Sequence, residues 1–282
     1  MARNRIRPKS SRTRATSHTT VWLWLSVPIA VLVAIAAATG LFIDNLYRDT
    51  PYFTAQAVGQ DLITLVVALP VLVASAVLAG RGSGRAHLVW LGVLVYLVYS
   101  YVIYAIAVQF NPLFLVYVAL LGCSLYALIG GLVTTDFADI KARFSRGTPE
   151  RVVSIFLAVL AVLFYLMWLS EAIPALLTGE VPQSVVDNGT PTNAVHVLDM
   201  AWILPATILT ALWLWRGRAI GYTLAGVLLT FLSLLALAIM SMIVFMVLYG
   251  QAVSVGPAAI FAILFAISLW MLVRYLRGLE EK

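Results

Sequence analysis

Eight apolar runs alternate with short polar breaks along this chain, at 21–43, 56–79, 87–109, 112–133, 152–177, 194–215, 219–249 and 257–276. A helix of about 20 apolar residues crosses the hydrocarbon of a bilayer, where only internal backbone hydrogen bonds can satisfy the peptide groups. The pattern therefore predicts an all-α fold, a polytopic bundle of eight transmembrane helices over residues 21–276. The breaks carry the chemistry of helix ends. Thr148-Pro149-Glu150 reads as N-cap, N1 proline and first-turn acid for helix five. Asn111-Pro112 and Gly256-Pro257 make tight turns into helices four and eight. Helix seven, at 219–249, would extend about 46 Å, so it must tilt, bend or protrude from a hydrocarbon layer about 30 Å thick.

Charge assigns sides to these helices. Residues 1–20 hold six of the 18 Lys and Arg. Arg81 and Arg85, then Lys141, Arg143, Arg146 and Arg151, then Arg216 and Arg218, and finally Arg274, Arg277 and Lys282 fall at every second break. Arg48 alone falls on the opposite side. The positive-inside rule then expects both termini in the cytoplasm, with the chain multi-pass in the plasma membrane. The tail 1–20 is expected to be disordered and to lie against anionic headgroups, and 277–282 to be a short cytoplasmic end.

Composition agrees with lipid as the solvent. The chain is 62% hydrophobic and 11% charged, where soluble domains carry about a quarter charged residues. The net charge of +6 is spread over short clusters between apolar runs, a topology signal that gives no reason to expect a nucleic-acid partner. Cys123 is the single cysteine, which excludes an intrachain disulfide and a CxxC redox pair.

The two halves of the chain resemble each other faintly. When Pro70 is aligned with Pro205, an Arg-Gly pair follows eleven residues later in each half, Arg81-Gly82 and Arg216-Gly217. Gly92-Val93-Leu94 then parallels Gly226-Val227-Leu228, and Pro112 parallels Pro257. Nine residues before the aligned prolines stand Asp61 and His196. Four helices per half would make this a parallel repeat of four plus four. Helix seven is longer than helix three, and apolar sequences align easily by chance, so duplication and coincidence both stay open.

Ionisable groups inside a bilayer are costly and mark sites. Here Asp61, Glu171, His196 and Asp199 fall within or at the edge of apolar runs. Gln56, Gln60, Asn111 and Tyr104 lie at the same level. On the expected topology all eight sit in the extracytoplasmic third of the membrane. His196 and Asp199, spaced i and i+3, share a helix face. Asp61, His196 and Asp199 are expected to line one cavity open to the outside, taking a proton or a small-molecule ligand. Two other assignments compete for these residues: a hydrated mouth in which they cap helices, and a metal site of one histidine and three carboxylates.

No Walker loop, GxGxxG, HExxH or GxSxG motif is present, and His87 and His196 begin helices at opposite sides, unsuited to paired haem ligation. No cofactor and no catalytic residue is assigned. The sequence is read as a small proton-linked transporter or permease. The alternative is a non-transporting sensor, a lipid- or quinone-binding protein, or an accessory subunit with a protein partner. A membrane-embedded enzyme is the third reading.

Overall fold

The computed structural model describes residues 21–253 and 255–281. The expected basic tail, 1–20, lies outside the described residues. Among the described residues eight helices are long and apolar enough to cross a membrane: α1 Val21–Phe42, α2 Pro51–Gly80, α3 Gly84–Ile106, α4 Phe114–Val133, α5 Glu150–Thr178, α6 Ala194–Trp215, α7 Ala219–Leu248 and α8 Ala258–Arg277. Their mean hydropathy runs from 1.7 to 2.8. Two short helices, Phe137–Ala142 and Gln183–Asn188, lie in the connections after α4 and α5.

Helix ends differ from the apolar runs where a cap decides. The α2 run begins at 56, but the helix starts at Pro51, because Thr50 accepts a hydrogen bond from the Phe53 N–H at 3.2 Å and proline suits the first helical turn. Asp61 therefore lies about 15 Å along α2 from its first residue, at 1.5 Å per residue. Ser83 caps α3 in the same way through the Ala86 N–H, moving its start ahead of 87.

Two helices form the core. Every residue from Trp90 to Tyr101 of α3 is buried, as is every residue from Ala225 to Leu234 of α7. A helix apolar on all sides belongs inside a bundle. Glycines allow the close approach: a Cβ on Gly92 would stand 2.7 Å from the Val227 carbonyl oxygen, and one on Gly59 would stand 2.6 Å from Met242 Cα. So α7 is pressed against both α3 and α2.

The helices that carry the aligned prolines, α2 and α6, share an irregularity. In α2 a π-helical turn spans Thr64–Ala68, and in α6 another spans Asp199–Ile203. The Leu69 N–H reaches the Thr64 carbonyl, and the Leu204 N–H the Asp199 carbonyl, each five residues back. Pro70 and Pro205 follow directly; a proline ring cannot be accommodated against the carbonyl four residues earlier without local rearrangement. Each helix then ends at an arginine followed by a left-handed glycine, Gly82 at φ 96° and Gly217 at φ 64°. The bulges, prolines and terminating glycines all fall at the positions the two halves align.

Neighbour pairs match across the halves only in part. α1 packs on α2, α2 on α3 and α3 on α4, as α5 does on α6, α6 on α7 and α7 on α8. α1 also packs along α4. Among the described residues α5 and α8 do not pack along one another; they meet at the rings of Phe164 and Phe261, centroids 6.3 Å apart. α2 lies along α7, whereas α3 meets α6 chiefly at its first turn.

At the basic end the chain is clamped. The Glu281 carboxylate accepts hydrogen bonds from Ser83 Oγ, from the Gly84 and Arg85 N–H groups, and from Arg143 at 3.1 Å. It thus sits on the N-terminus of α3, where exposed amides and the helix dipole favour an anion.

Candidate ligand cavity

Between α2, α3, α5, α6, α7 and α8 lies a cavity of about 470 Å³. Its floor is apolar: Leu160 and Phe164 of α5, Phe231 and Leu235 of α7, and Leu264 of α8. Its polar lining, Gln56, Gln60, Tyr99, Ser100, Tyr104, His196 and Asp199, comes from α2, α3 and α6 and shares the arginine-poor end with apolar Phe53, Val108, Ile243 and Met246. Half-buried Ser184 and Asn188, from the short helix after α5, reach the rim. The cavity runs from the arginine-poor end to mid-bundle, because Thr207 on its wall is the fourteenth residue of α6, about 20 Å along the axis.

Asp199 is the first residue of the α6 π turn. The extra residue in such a turn re-aims side chains, and π bulges recur at functional sites. Here it sets the carboxylate between two donors: Tyr99 Oη gives a hydrogen bond to Oδ1 at 3.0 Å and Trp168 Nε1 gives one to Oδ2 at 2.9 Å. Three residues earlier, His196 is buried against Trp168, ring centroids 4.1 Å apart. Among the described residues its Nε2 has no hydrogen-bond partner; Glu171 Oε2 stands 3.5 Å away. Asn193 caps α6, its Oδ1 accepting from the Val195 and His196 N–H groups. Gln60 donates to Ser100 Oγ, and Gln56 to Asn188 Oδ1 at 3.2 Å.

Of the eight residues singled out by sequence, Gln56, Gln60, Tyr104, His196 and Asp199 line the cavity. Asp61 does not, and the expectation that it shares a cavity with His196 and Asp199 is corrected. Gln60 faces the cavity, and the next residue turns about 100° around the helix, toward α1. Asp61 is 1% exposed, backed by Gly40 and held by the hydroxyls of Tyr47 and Tyr104. Burial, then the charge of Asp61, holds the Tyr47 hydroxyl well above its usual range, so it stays a donor. Tyr104 stands in the wall between, donating to the Ala57 carbonyl at 2.9 Å or to Asp61 at 3.1 Å.

Glu171 stands behind the wall and accepts from the Ser184 N–H at 3.0 Å, tethering the loop. Asn111 shapes the turn into α4 by accepting from the Leu113 N–H at 2.9 Å. Among the described residues no three His, Cys, Asp or Glu are gathered to hold a metal ion, so Asp61, Glu171, His196 and Asp199 do not form one ligand set.

Sequence reasoning missed Trp168 as a partner of the site. It lies well inside the apolar run of α5, where a tryptophan reads as packing, and its one signal is its spacing, one turn before Glu171. The apolar floor had no signal at all, since its residues look like any packed helix.

The chain matches no protein-family model, no curated protein and no solved structure. What fold and cavity define is a class: a multi-pass helical membrane protein enclosing an amphipathic cavity that reaches one end of the bundle.

Proposed function

We propose that this protein binds an amphipathic small molecule in the α2–α8 cavity, entering from the extracytoplasmic leaflet, with both termini in the cytoplasm of the plasma membrane. One observation carries the reading: a cavity of about 470 Å³ combines polar groups around His196 and Asp199 with an apolar lining that reaches mid-bundle. That volume falls in the range of small-molecule sites, which pair an apolar lining with a few placed polar groups. Packed structural cores leave few voids larger than a water molecule, so a space this size argues for an occupant. Lipid- or quinone-like molecules and a sensor's ligand all fit the description. The test is native mass spectrometry of the protein extracted in mild detergent. A stoichiometric apolar adduct, lost in a variant that fills the floor (Leu235→Trp), is expected. A protein that carries no adduct and takes up no alkyl-chain probe would contradict the proposal.

A second reading, proton-linked secondary transport, is favoured by the matched π turns and prolines of α2 and α6. Related halves that rock about a central site are a common transporter plan. On that reading the cavity is the outward-facing state. Uptake into proteoliposomes driven by a pH gradient supports it; absence of flux for a ligand that demonstrably binds rules it out.

A further inference from the structure

The cavity's charge is one-sided, and this bears on which head group it takes. Asp199 lines the polar end and makes no ion pair among the described residues. None of the described residues lining the cavity is lysine or arginine. The connections at that end repeat the sign: Asp44, Asp49, Glu180 and Asp187 lie there with Glu171, against Arg48 alone. A buried carboxylate without a counter-charge is costly, and its remaining lone pairs call for charged or strongly polarised donors. Tyr99 and Trp168 each occupy one direction on one oxygen, holding the carboxylate in place.

We infer that the ligand is an amphipathic cation, with an ammonium-type head against Asp199 beside Trp168 and Tyr99, and an apolar tail on the floor of Phe231, Leu235 and Leu264. This rests on the cavity reading proposed above. A cationic head supplies the missing counter-charge, and charge-assisted hydrogen bonds are about twice as strong as neutral ones. The indole and phenol rings favour a cation at close range. The acidic connections at that end raise the local concentration of cations and repel anions. An anionic head, by contrast, meets a carboxylate and no lysine or arginine; the imidazole of His196 already stands 3.5 Å from Glu171.

The test uses the full-length protein in nanodiscs of zwitterionic lipid and three probes with the same tail: dodecylammonium, dodecanol and dodecyl sulfate. Equilibrium binding is measured for each, with empty nanodiscs subtracted. Dodecylammonium is expected to bind at least about tenfold more tightly than dodecanol, as one charge-assisted bond implies, and dodecyl sulfate most weakly. In Asp199→Asn the ammonium preference is expected to fall to near unity while dodecanol still binds. Equal binding of dodecanol and dodecylammonium overturns the cationic head and leaves the cavity reading intact. Survival of the preference in Asp199→Asn overturns it too. Binding of none of the three overturns both. The wild-type ratio decides alone if Asp199→Asn does not fold.

Discussion

Asp61 and Asp199 solve the same physical problem in opposite surroundings. Both are carboxyls within membrane-spanning helices, and each is held by two ring donors. Asp61 is enclosed by protein, with Tyr47 and Tyr104 on its oxygens and Gly40 against its back. Asp199 faces a cavity. The first therefore reads as structural and the second as a ligand site. Replacing Asp61 by leucine removes the carboxylate acceptor of the buried Tyr47 hydroxyl and leaves it only the neutral Tyr117 hydroxyl, a cost of about 1–3 kcal/mol, whereas Tyr104 keeps the Ala57 carbonyl. Asp61→Leu should thus lower thermal stability in detergent clearly more than Asp61→Asn, and both should retain ligand binding. Equal stability of the two variants would count against this. The residue types of the site were legible from sequence, because intramembrane acids stand out. Their directions were not, since Gln60 and Asp61 are neighbours in the chain but face different helices.

At the scale of elements, the π turns decide what the cavity contains. One extra residue in Asp199–Ile203 rotates the start of α6 relative to its remainder. Deleting Met200 converts this turn to α-helical geometry and swings His196 and Asp199 by about 100° around the axis. The deletion should abolish ligand binding while the protein still folds; retained affinity would show that the turn does not aim the site. Deleting Val66 from the α2 turn should by the same geometry swing Gln56 and Gln60 off the cavity wall and weaken binding, while Asp199 keeps its Tyr99 and Trp168 donors. Prolines at 70 and 205 were visible in the sequence, but the bulges were not, because no residue type marks the added position.

The α3 cap titrates in a defined direction. Burial raises the Glu281 carboxyl, but donors from Arg85, Ser83 and Gly84 and the charge of Arg143 outweigh it and leave the group below its ordinary 4.5. A depressed carboxyl contributes stability that is full above the unfolded value and lost as pH falls through the folded one. Acidification below about 4.5 should therefore destabilise the native chain more than Glu281→Gln, and parallel melting curves for the two would refute the clamp.

For the whole molecule, eight helices with alternating charge were legible because membrane solvation leaves little freedom: each span must be apolar, long and internally bonded. The cavity was not legible, because it arises from packing. α1 and α4 close against each other, while α5 and α8 meet at one ring pair and leave the space beside α6 and α7 unfilled. Sequence patterns report which face of a helix is apolar, not whether a neighbour covers it.

The central claim is that this space holds an amphipathic molecule with its head at Asp199. A cryo-EM map of the protein in nanodiscs of native lipid tests it most directly. The account predicts elongated density along the α6–α7 wall, its polar end within hydrogen-bonding distance of Asp199 and its tail at Phe231 and Leu235. A cavity closed by repacked side chains, or a bound molecule whose head points to the floor, would contradict it.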